Sequence, residues 1–358
     1  MSDPIRLLFV ADSHLGLDLP VRARVGRRRR GFDFLANYST ALAPALSREV
    51  DIVVHGGDVF NRSAPHASVA HRAYEPLRRI ADLGIPVFIV PGNHERSRLP
   101  HTRLLSHRNI HVFDTPRTFV VEVRGTRLAL SGFPYERDDV RSRFTALVER
   151  TQWRSHSAER RLLCLHHCVE GATVGPADFT FTSASDVIRG REISSEFSAV
   201  LSGHIHRHQV LTSDLGGRRL AAPVLYPGSI ERTSFAEIGE PKGFMRVTLD
   251  AELRWEFCPL PARPMERHEL DASRLDACEF DRSIGAIVDD APSDAVISIR
   301  VMGELTEAHW RVISAANLRS RIPETMNLEV APVGGFVRRA REERSPKPAE
   351  VELQHVLF

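Results

Sequence analysis

Short apolar runs recur along the first two thirds of the chain, and each ends abruptly in polar residues. Runs of this length, bounded by polar or turn residues, are typical of buried strands. They predict strands at residues 5–11, 51–55, 86–90, 162–165 and 199–201. Two segments with helical spacing, residues 34–48 and 67–83, separate the first three. Alternating strands and helices predict a layered α/β core.

The rest of the chain has a different pattern. Short β-rich runs with turns fill residues 117–131 and 207–257, and we expect them to extend or pack on the sheets as antiparallel pieces. A proline-rich stretch at 259–264 predicts a linker. Beyond it the pattern reads strand, helix, strand (295–301), helix (304–319) and strand (326–330). We therefore expect one domain over residues 1–260, a small α+β domain over 265–335 and a charged tail over 336–358.

Composition narrows the class of protein. The 358 residues are 42% hydrophobic and 26% charged, which excludes a disordered or fibrous chain. The net charge is only +2, so any basic surface for nucleic acid must be local. The four cysteines form no CxxC pair, the N-terminus lacks the basic region of a signal peptide, and no run approaches the roughly 18 apolar residues of a membrane span. We expect a soluble, reduced, cytoplasmic protein.

Side chains able to bind metal follow each of the five predicted strands. They are Asp12, His14, Asp58, Asn93, His166, His204 and His206. Because α/β sheets place their sites outside the carboxyl ends of strands, we expect these side chains to gather. Oxygen and nitrogen ligands without thiolate suit Mn, Fe or Zn. If each strand continued, Asp12 and His14 would share one side, as would His204 and His206, so each pair could chelate one ion.

Seven candidate ligands are too many for one tetrahedral ion and fit two ions that share a carboxylate. Paired metals of this kind hydrolyse phosphoesters, because they clamp the phosphate and activate water. Each short motif is common by itself. All of them, in order and each closing an apolar run, predict a metal-dependent phosphoesterase.

The order of these blocks resembles the calcineurin-like metallophosphoesterase superfamily. The matching blocks are D-x-H at 12–14, G-D at 57–58, G-N-H-E at 92–95, H at 166 and G-H-x-H at 203–206. Segments 12–16, 57–60, 226–235 and 242–244 resemble its SbcD/Mre-type DNA-repair exonuclease branch. The resemblance covers residues 5–249 and, more loosely, the segment after Pro264. It implies an α/β fold, a two-sheet β-sandwich flanked by helices, with a small α+β capping domain.

The resemblance also implies roles for these residues. One ion would be held by Asp12, His14, Asp58 and His206. The second would be held by Asp58, Asn93, His166 and His204, with Asp58 bridging. His94 is not a ligand in the family; it faces the scissile phosphate and would donate a proton to the leaving oxygen, which suits a side chain that titrates near neutral pH. The implied cofactor is two Mn²⁺ per chain, with Mg²⁺, Fe or Zn also compatible with these ligands.

Two positions depart from the family pattern. Asn61 stands three residues after Asp58, where relatives place a His or Asp; we expect it to orient His94 without stabilising its cation, so that activity is altered. His167 follows His166, where the branch often has Gln. We expect His167 to be a spectator rather than a spare ligand.

The densest basic cluster is Arg27, Arg28, Arg29 and Arg30, in the loop after the first candidate ligands. It would form a rail for DNA phosphates beside the metal site, each arginine neutralising about one phosphate. The alternative is a solvated run of charges without a partner.

Taken together, the resemblance implies a metal-dependent DNA exonuclease or endonuclease that acts in repair or processing. Its implied partners are DNA, a second copy of the chain and an SbcC-type coiled-coil ATPase. A phosphatase or cyclic-nucleotide phosphodiesterase on the same metal core is one alternative. A non-catalytic scaffold that binds DNA or an ATPase is another, although the intact ligand set argues against it.

Overall fold

The computed structural model describes residues 3–19 and 28–333. Arg27 and the predicted tail over 336–358 lie outside the described residues. In chain order the strands are β1 (Ile5–Val10), β2 (Ile52–His55), β3 (Val87–Ile89), β4 (Ile110–Val112), β5 (Arg117–Val123), β6 (Thr126–Gly132), β7 (Arg160–Leu165), β8 (Cys168–Val169), β9 (Thr173–Val174), β10 (Phe179–Thr180), β11 (Val187–Ile188), β12 (Ala199–Ser202), β13 (Gln209–Ser213), β14 (Arg219–Tyr226), β15 (Gly243–Leu249), β16 (Leu253–Pro259), β17 (Met265–Asp271), β18 (Val296–Met302) and β19 (Asn327–Pro332). The α-helices are α1 (Gly31–Leu46), α2 (Ala67–Asp82), α3 (Val140–Arg150), α4 (Ala277–Asp290), α5 (Glu307–Val312) and α6 (Ala315–Arg321).

Two six-stranded sheets make up the larger part of the molecule. The first has the order β16-β15-β1-β2-β3-β4 and the second the order β13-β14-β12-β7-β6-β5. In the first, β1 to β4 are parallel, and β15 and β16 add antiparallel strands at one edge. In the second, β6, β7, β12 and β14 are parallel, with β5 and β13 antiparallel at the edges. The five predicted strands and the α/β fold class are confirmed, whereas within the segments expected to be antiparallel β6 and β14 pair in parallel with β7 and β12.

The sheets pack face to face because successive side chains of a strand point to opposite faces. Leu7 and Phe9 of β1 join Leu130 and Leu162 of the second sheet in one buried cluster. The alternate residues of β1 lie in a second cluster with α1 and α2. A third cluster packs α3 against the outer face of the second sheet. The core is therefore a two-sheet sandwich with helices outside.

The segment after residue 264 forms a separate three-stranded sheet with its own hydrophobic cluster. Its strands β17, β18 and β19 are all parallel, and α4 connects the first two. The single helix predicted over 304–319 is wrong, since the structure has α5 and α6 there. The break follows from local hydrogen bonding: Ser314 caps α6 by accepting the amide of Asn317 at 3.4 Å, and the side chain of Asn317 donates to the carbonyl of Val312 at 2.8 Å.

Arg263, just before β17, joins this smaller part to the sandwich. Its Nη1 contacts Asp33 of α1 at 3.1 Å and Asn327 of β19 at 2.7 Å. Arg263 and Asp33 are only 7% and 6% exposed, so this is a buried ion pair rather than a surface contact.

No helix among residues 3–19 and 28–333 is long and apolar enough to cross a membrane.

Candidate metal centre

Five loops that follow β1, β2, β3, β7 and β12 meet at one edge of the sandwich, and they carry all seven candidate ligands. The backbone there is strained. Asp12, His14, Asp58 and His204 all have positive φ, at 50°, 42°, 51° and 82°. A non-glycine residue held in this region costs of order 1–3 kcal/mol, and such residues cluster at functional sites.

Glycines let the ligand loops approach one another closely. A Cβ on Gly92 would lie 2.2 Å from Oδ1 of Asp58, and one on Gly57 would lie 2.3 Å from Nδ1 of His166. Both distances are far shorter than any real carbon contact, so no larger residue fits without moving a candidate ligand. The glycines beside Asp58 and Asn93 therefore permit this close approach.

The first group of candidate ligands consists of Asp12, His14 and His206. Nε2 of His14 lies 2.9 Å from Nε2 of His206 and 3.9 Å from Oδ2 of Asp58. Asp12 is fully buried, and both of its carboxylate oxygens accept the main-chain amide of His204 at 3.1 Å.

The second group consists of Asp58, Asn93, His166 and His204. Oδ1 of Asn93 lies 2.9 Å from Nε2 of His166 and 3.0 Å from Nδ1 of His204. Oδ2 of Asp58 lies 3.3 Å from Nε2 of His166. Asp58 thus borders both groups.

The expectation that His204 and His206 point to the same side is wrong. His204 turns towards Asn93 and His206 turns towards His14. The strand does not continue past Ser202, and the positive φ of His204 breaks the alternation on which the expectation rested. Asp12 and His14 do share a group, but not because the strand continues. Strand β1 ends at Val10, and both residues have positive φ values in the loop that follows.

The hydrogen bonding fits bound cations. Nδ1 of His166 must donate to the carbonyl of Gly56 at 2.7 Å, so in the neutral ring the bare Nε2 faces the oxygens of Asn93 and Asp58. Nδ1 of His206 donates to Glu237 at 3.1 Å, so in the neutral ring the bare Nε2 faces His14. When these rings are neutral, acceptors converge on acceptors in a buried site, and such a set of lone pairs is what a divalent cation takes.

The ionisation of these groups supports the same conclusion. Burial opposes ionisation of Asp58, but attraction to His166, His14 and His94 outweighs it and holds the pKa of Asp58 well below its usual range. Burial would lower the pKa of His166, yet Asp58 and Asp12 raise it to about 9. Burial lowers the pKa of His204 to about 3. Asp58 therefore attracts positive charge. The proton on His166 provides that charge here, and a bound metal ion could provide it instead.

His94 differs from the other site histidines because its side chain is 37% exposed. Its Nδ1 donates to the main-chain carbonyl of Asn61 at 3.0 Å, and its Nε2 lies 3.9 Å from Oδ2 of Asp58. The expectation that the Asn61 side chain orients His94 is wrong, since the backbone does so. A carbonyl is present whatever residue stands at position 61.

His167 lies behind the site rather than in it. It is buried, its Nε2 accepts the amide of Glu136 at 3.0 Å, and its ring stacks on Tyr135 at 4.9 Å between centroids. Burial holds its pKa well below the usual value, so the ring is neutral. Its position matches the spectator role expected for it.

Three buried residues that support the ligand loops were not among the candidates predicted from the sequence. Glu95 accepts the amides of Phe60 at 2.7 Å and Gly92 at 2.8 Å, which ties two loops together. His55 binds the hydroxyl of Ser13 at 2.9 Å. Glu237 contacts His206. Glu95 could have been found as the last letter of the G-N-H-E block, and His55 as a lone polar residue in an apolar run; Glu237 has no comparable signal.

The described arginines of the basic cluster have partners within the chain. The side chains of Arg28 and Arg29 pair with Asp33 and Asp18 and are 41% and 52% exposed. Arg30 donates to the carbonyl of Arg232. The main chain of Arg28 also bonds to Glu324 and Asn327 of the smaller part, at 3.0 and 3.2 Å.

Comparison with known proteins shows which proteins this chain is similar to. Among curated proteins, the chain is 23% identical over 217 residues to the DNA double-strand break repair protein Mre11 of Saccharolobus solfataricus, a match that covers 59% of this chain and 52% of that protein. It is 22% identical to Mre11 of Thermoplasma acidophilum over 84% of this chain and 77% of that one. It is 24% identical to the SbcD component of the nuclease SbcCD of Bacillus subtilis over 66% of this chain and 64% of that one. The chain thus spans about half the length of the first of these relatives.

A family model identifies the chain more firmly than these modest identities do. The model described as calcineurin-like phosphoesterase matches residues 5–208, which include more than half of the chain and every candidate ligand. Members of this family use a pair of divalent metals, and the groups that converge on Asp58 supply suitable ligands here. The chain therefore belongs to the calcineurin-like phosphoesterase family.

Proposed function

We propose that this protein is a two-metal phosphodiesterase that hydrolyses DNA, as an exonuclease or endonuclease in repair or processing. The observation that carries the proposal is that Asp58 lies 3.9 Å from His14 of one group of candidate ligands and 3.3 Å from His166 of the other, with the half-buried His94 beside them. The functions for which its relatives are named, double-strand break repair and nuclease activity, support DNA as the substrate.

The proposed ligands divide as the distances do. Asp12, His14, Asp58 and His206 would hold one ion, and Asp58, Asn93, His166 and His204 the other. Bound divalent cations supply Lewis acidity towards phosphate oxygens and lower the pKa of water. Mn²⁺ is the metal that we propose, and Mg²⁺, Fe and Zn are the competing assignments.

His94 is proposed as the proton donor to the leaving oxygen. Its Nδ1 is committed to the carbonyl of Asn61, so Nε2 is the atom that can carry and release the proton. Exposure of more than a third of the side chain lets that atom reach a substrate. A proton donor in this position contributes about 10²- to 10⁴-fold to the rate.

The exposed parts of Arg28 and Arg29 support a phosphate-binding role for the arginine cluster, Arg27 to Arg30, because a paired guanidinium still has free N–H groups. The resemblance to SbcD/Mre-type nucleases further motivates two partner proposals. One is a second copy of the chain, and the other is an SbcC-type coiled-coil ATPase.

Hydrolysis of end-labelled DNA tests the proposal. Single-stranded and duplex substrates are incubated with Mn²⁺, Mg²⁺ or EDTA, using the wild type, His94→Ala and the control His71→Ala on the exposed face of α2. We expect Mn²⁺-dependent cleavage that is lost in His94→Ala and kept in His71→Ala. Mn²⁺ binding should be the same in all three proteins, since His94 is not a proposed ligand.

Two results would contradict DNA as the substrate. One is fast hydrolysis of a cyclic nucleotide or a phosphomonoester without cleavage of DNA, which would favour the phosphatase or cyclic-nucleotide phosphodiesterase alternative. The other is DNA binding without hydrolysis of any phosphoester, with or without an added ATPase, which would favour the scaffold.

A further inference from the structure

A buried group of charged residues lies directly behind His206. Lys242 is 1% exposed, and its Nζ contacts Glu237 at 2.5 Å and Glu240 at 3.2 Å. The same Nζ donates to the main-chain carbonyl of His206 at 3.0 Å. Burying an ammonium and two carboxylates together is costly unless their mutual attraction and hydrogen bonds offset the lost hydration.

Glu237 is the member of this group that touches a candidate ligand. Its Oε1 accepts from Nδ1 of His206 at 3.1 Å and from the hydroxyl of Thr233 at 2.5 Å. Its Oε2 accepts from Lys242 and from the amide of Thr233 at 3.3 Å. Both oxygens are thus held in place, and the carboxylate cannot turn away from the imidazole.

The bond from His206 decides which ring nitrogen is bare. A carboxylate only accepts, so Nδ1 carries a proton, and in the neutral ring the lone pair of Nε2 is directed towards His14. Without the carboxylate, a neutral His206 could place its proton on Nε2, which would block that atom as a ligand. Carboxylate partners of metal-binding histidines commonly act in this way.

We propose that Glu237 is a positioning residue of the metal centre, which sets the tautomer and orientation of His206 and is itself held by Lys242 and Thr233. The inference rests on the proposed function, since it requires His206 to bind metal. It predicts that Glu237 controls one ion of the pair and leaves the other unaffected.

Glu240 provides a matched control. It is 7% exposed, as is Glu237, and it also contacts Lys242, but its other oxygen pairs with Arg207 at 3.0 Å rather than with a candidate ligand. Glu237→Gln and Glu240→Gln therefore each remove one buried negative charge beside Lys242. They differ in whether the lost carboxylate faces His206.

The experiment is calorimetric titration of the metal-free protein with Mn²⁺, for the wild type, Glu237→Gln, Glu240→Gln and His206→Ala, with thermal melting in EDTA. We expect two ions for the wild type and loss of one in His206→Ala. In Glu237→Gln one of the two ions should bind about 10- to 100-fold more weakly. Glu240→Gln should bind both as the wild type does.

The outcomes separate the two proposals. If Glu237→Gln binds both ions normally while His206→Ala loses one, the positioning role is wrong and the metal centre stands. Equal weakening in Glu237→Gln and Glu240→Gln would also overturn it, since the effect would then come from the charge of Lys242. Fewer than two ions in the wild type, or an unchanged His206→Ala, would overturn the metal centre itself.

A second pair of variants serves if Glu237→Gln does not fold because Lys242 loses its partner. Combining each glutamine substitution with Lys242→Met removes the buried ammonium together with a carboxylate, a replacement that proteins often tolerate. Glu237→Gln/Lys242→Met should weaken one ion more than Glu240→Gln/Lys242→Met does, because only the second protein keeps the carboxylate that faces Nδ1 of His206 and accepts from the Thr233 hydroxyl. Equal affinities in these two proteins would overturn the proposal.

Discussion

The Nε2 atoms of His14 and His206 lie 2.9 Å apart, although 192 positions separate the two residues in the chain. His14 follows β1 of the first sheet, and His206 follows β12 of the second. The candidate metal centre therefore straddles the seam of the sandwich, so its geometry depends on how the two sheets pack.

Asp58 borders both groups, so its loss should disturb both ions at once. We expect Asp58→Asn to lower hydrolysis by at least ~100-fold, since loss of even an indirect ligand partner costs 10- to 100-fold. Titration with Mn²⁺ should show both ions bound more weakly. Asp114→Asn, at a 56% exposed aspartate, is the control and should match the wild type. Two ions of normal affinity in Asp58→Asn would refute its bridging position.

Truncation of Asn61 should have little effect, because His94 is oriented by the main-chain carbonyl at that position. We expect Asn61→Ala to keep its kcat far above that of His94→Ala, which should lose at least about 10²-fold. Steady-state kinetics on a small phosphodiester measures both. A loss in Asn61→Ala as large as in His94→Ala would show that the side chain matters after all.

The ion pair of Arg263 and Asp33 should be important for stability because both groups are buried. Removing one partner of a buried pair typically costs about 3–5 kcal/mol, since the other charge stays uncompensated. We expect Arg263→Met to lower the free energy of unfolding by about that amount, measured by chemical denaturation. Arg311→Met, at a 76% exposed arginine of α5, is the control. Similar stability of the two variants would contradict the prediction.

The environment of Asp51 predicts that part of the protein's free energy of unfolding is lost in acid. Burial opposes its ionisation, but hydrogen bonds from Arg6 at 2.8 Å and Arg124 at 2.9 Å outweigh it and lower the pKa of Asp51. A depressed folded pKa adds stability above the unfolded value of about 3.9, and this stability is lost as the pH falls through the folded value. The wild type should exceed Asp51→Asn in unfolding free energy at pH 7. The difference should shrink towards pH 3; a constant difference would contradict the assignment.

The arginine cluster should affect DNA binding more than chemistry. Arg28→Gln/Arg29→Gln should reduce the slope of log affinity for DNA against log salt by about 1–2, since each phosphate contact contributes about 0.9. Hydrolysis of a small phosphodiester should persist. Equal loss of both properties would mean that the pairs with Asp33 and Asp18 hold the site together, and an unchanged slope would mean that the charges are merely solvated.

The sequence determined the existence of the sandwich strands and the identity of the candidate ligands. Apolar runs such as residues 5–11 must be buried, and a run that ends in Asp12 and His14 must present them at a strand end. Burial of the run and the position of these side chains at its end both depend on residues adjacent in the chain, so a local sequence pattern is enough to predict them. The same locality explains the error at 304–319, where a helical pattern hides the hydrogen bonds of Ser314 and Asn317 that end one helix and begin another.

Only the tertiary structure showed how the candidate ligands are arranged in space and which residues support them. His204 and His206 are two positions apart, yet positive φ at His204 sends them to different groups. The carbonyl of Asn61 and the carboxylate of Glu237 act through distances across loops, which no spacing in the sequence encodes. The physical reason is that side-chain type follows from the chain itself, whereas the direction of a lone pair depends on hydrogen bonds made by residues far away in sequence.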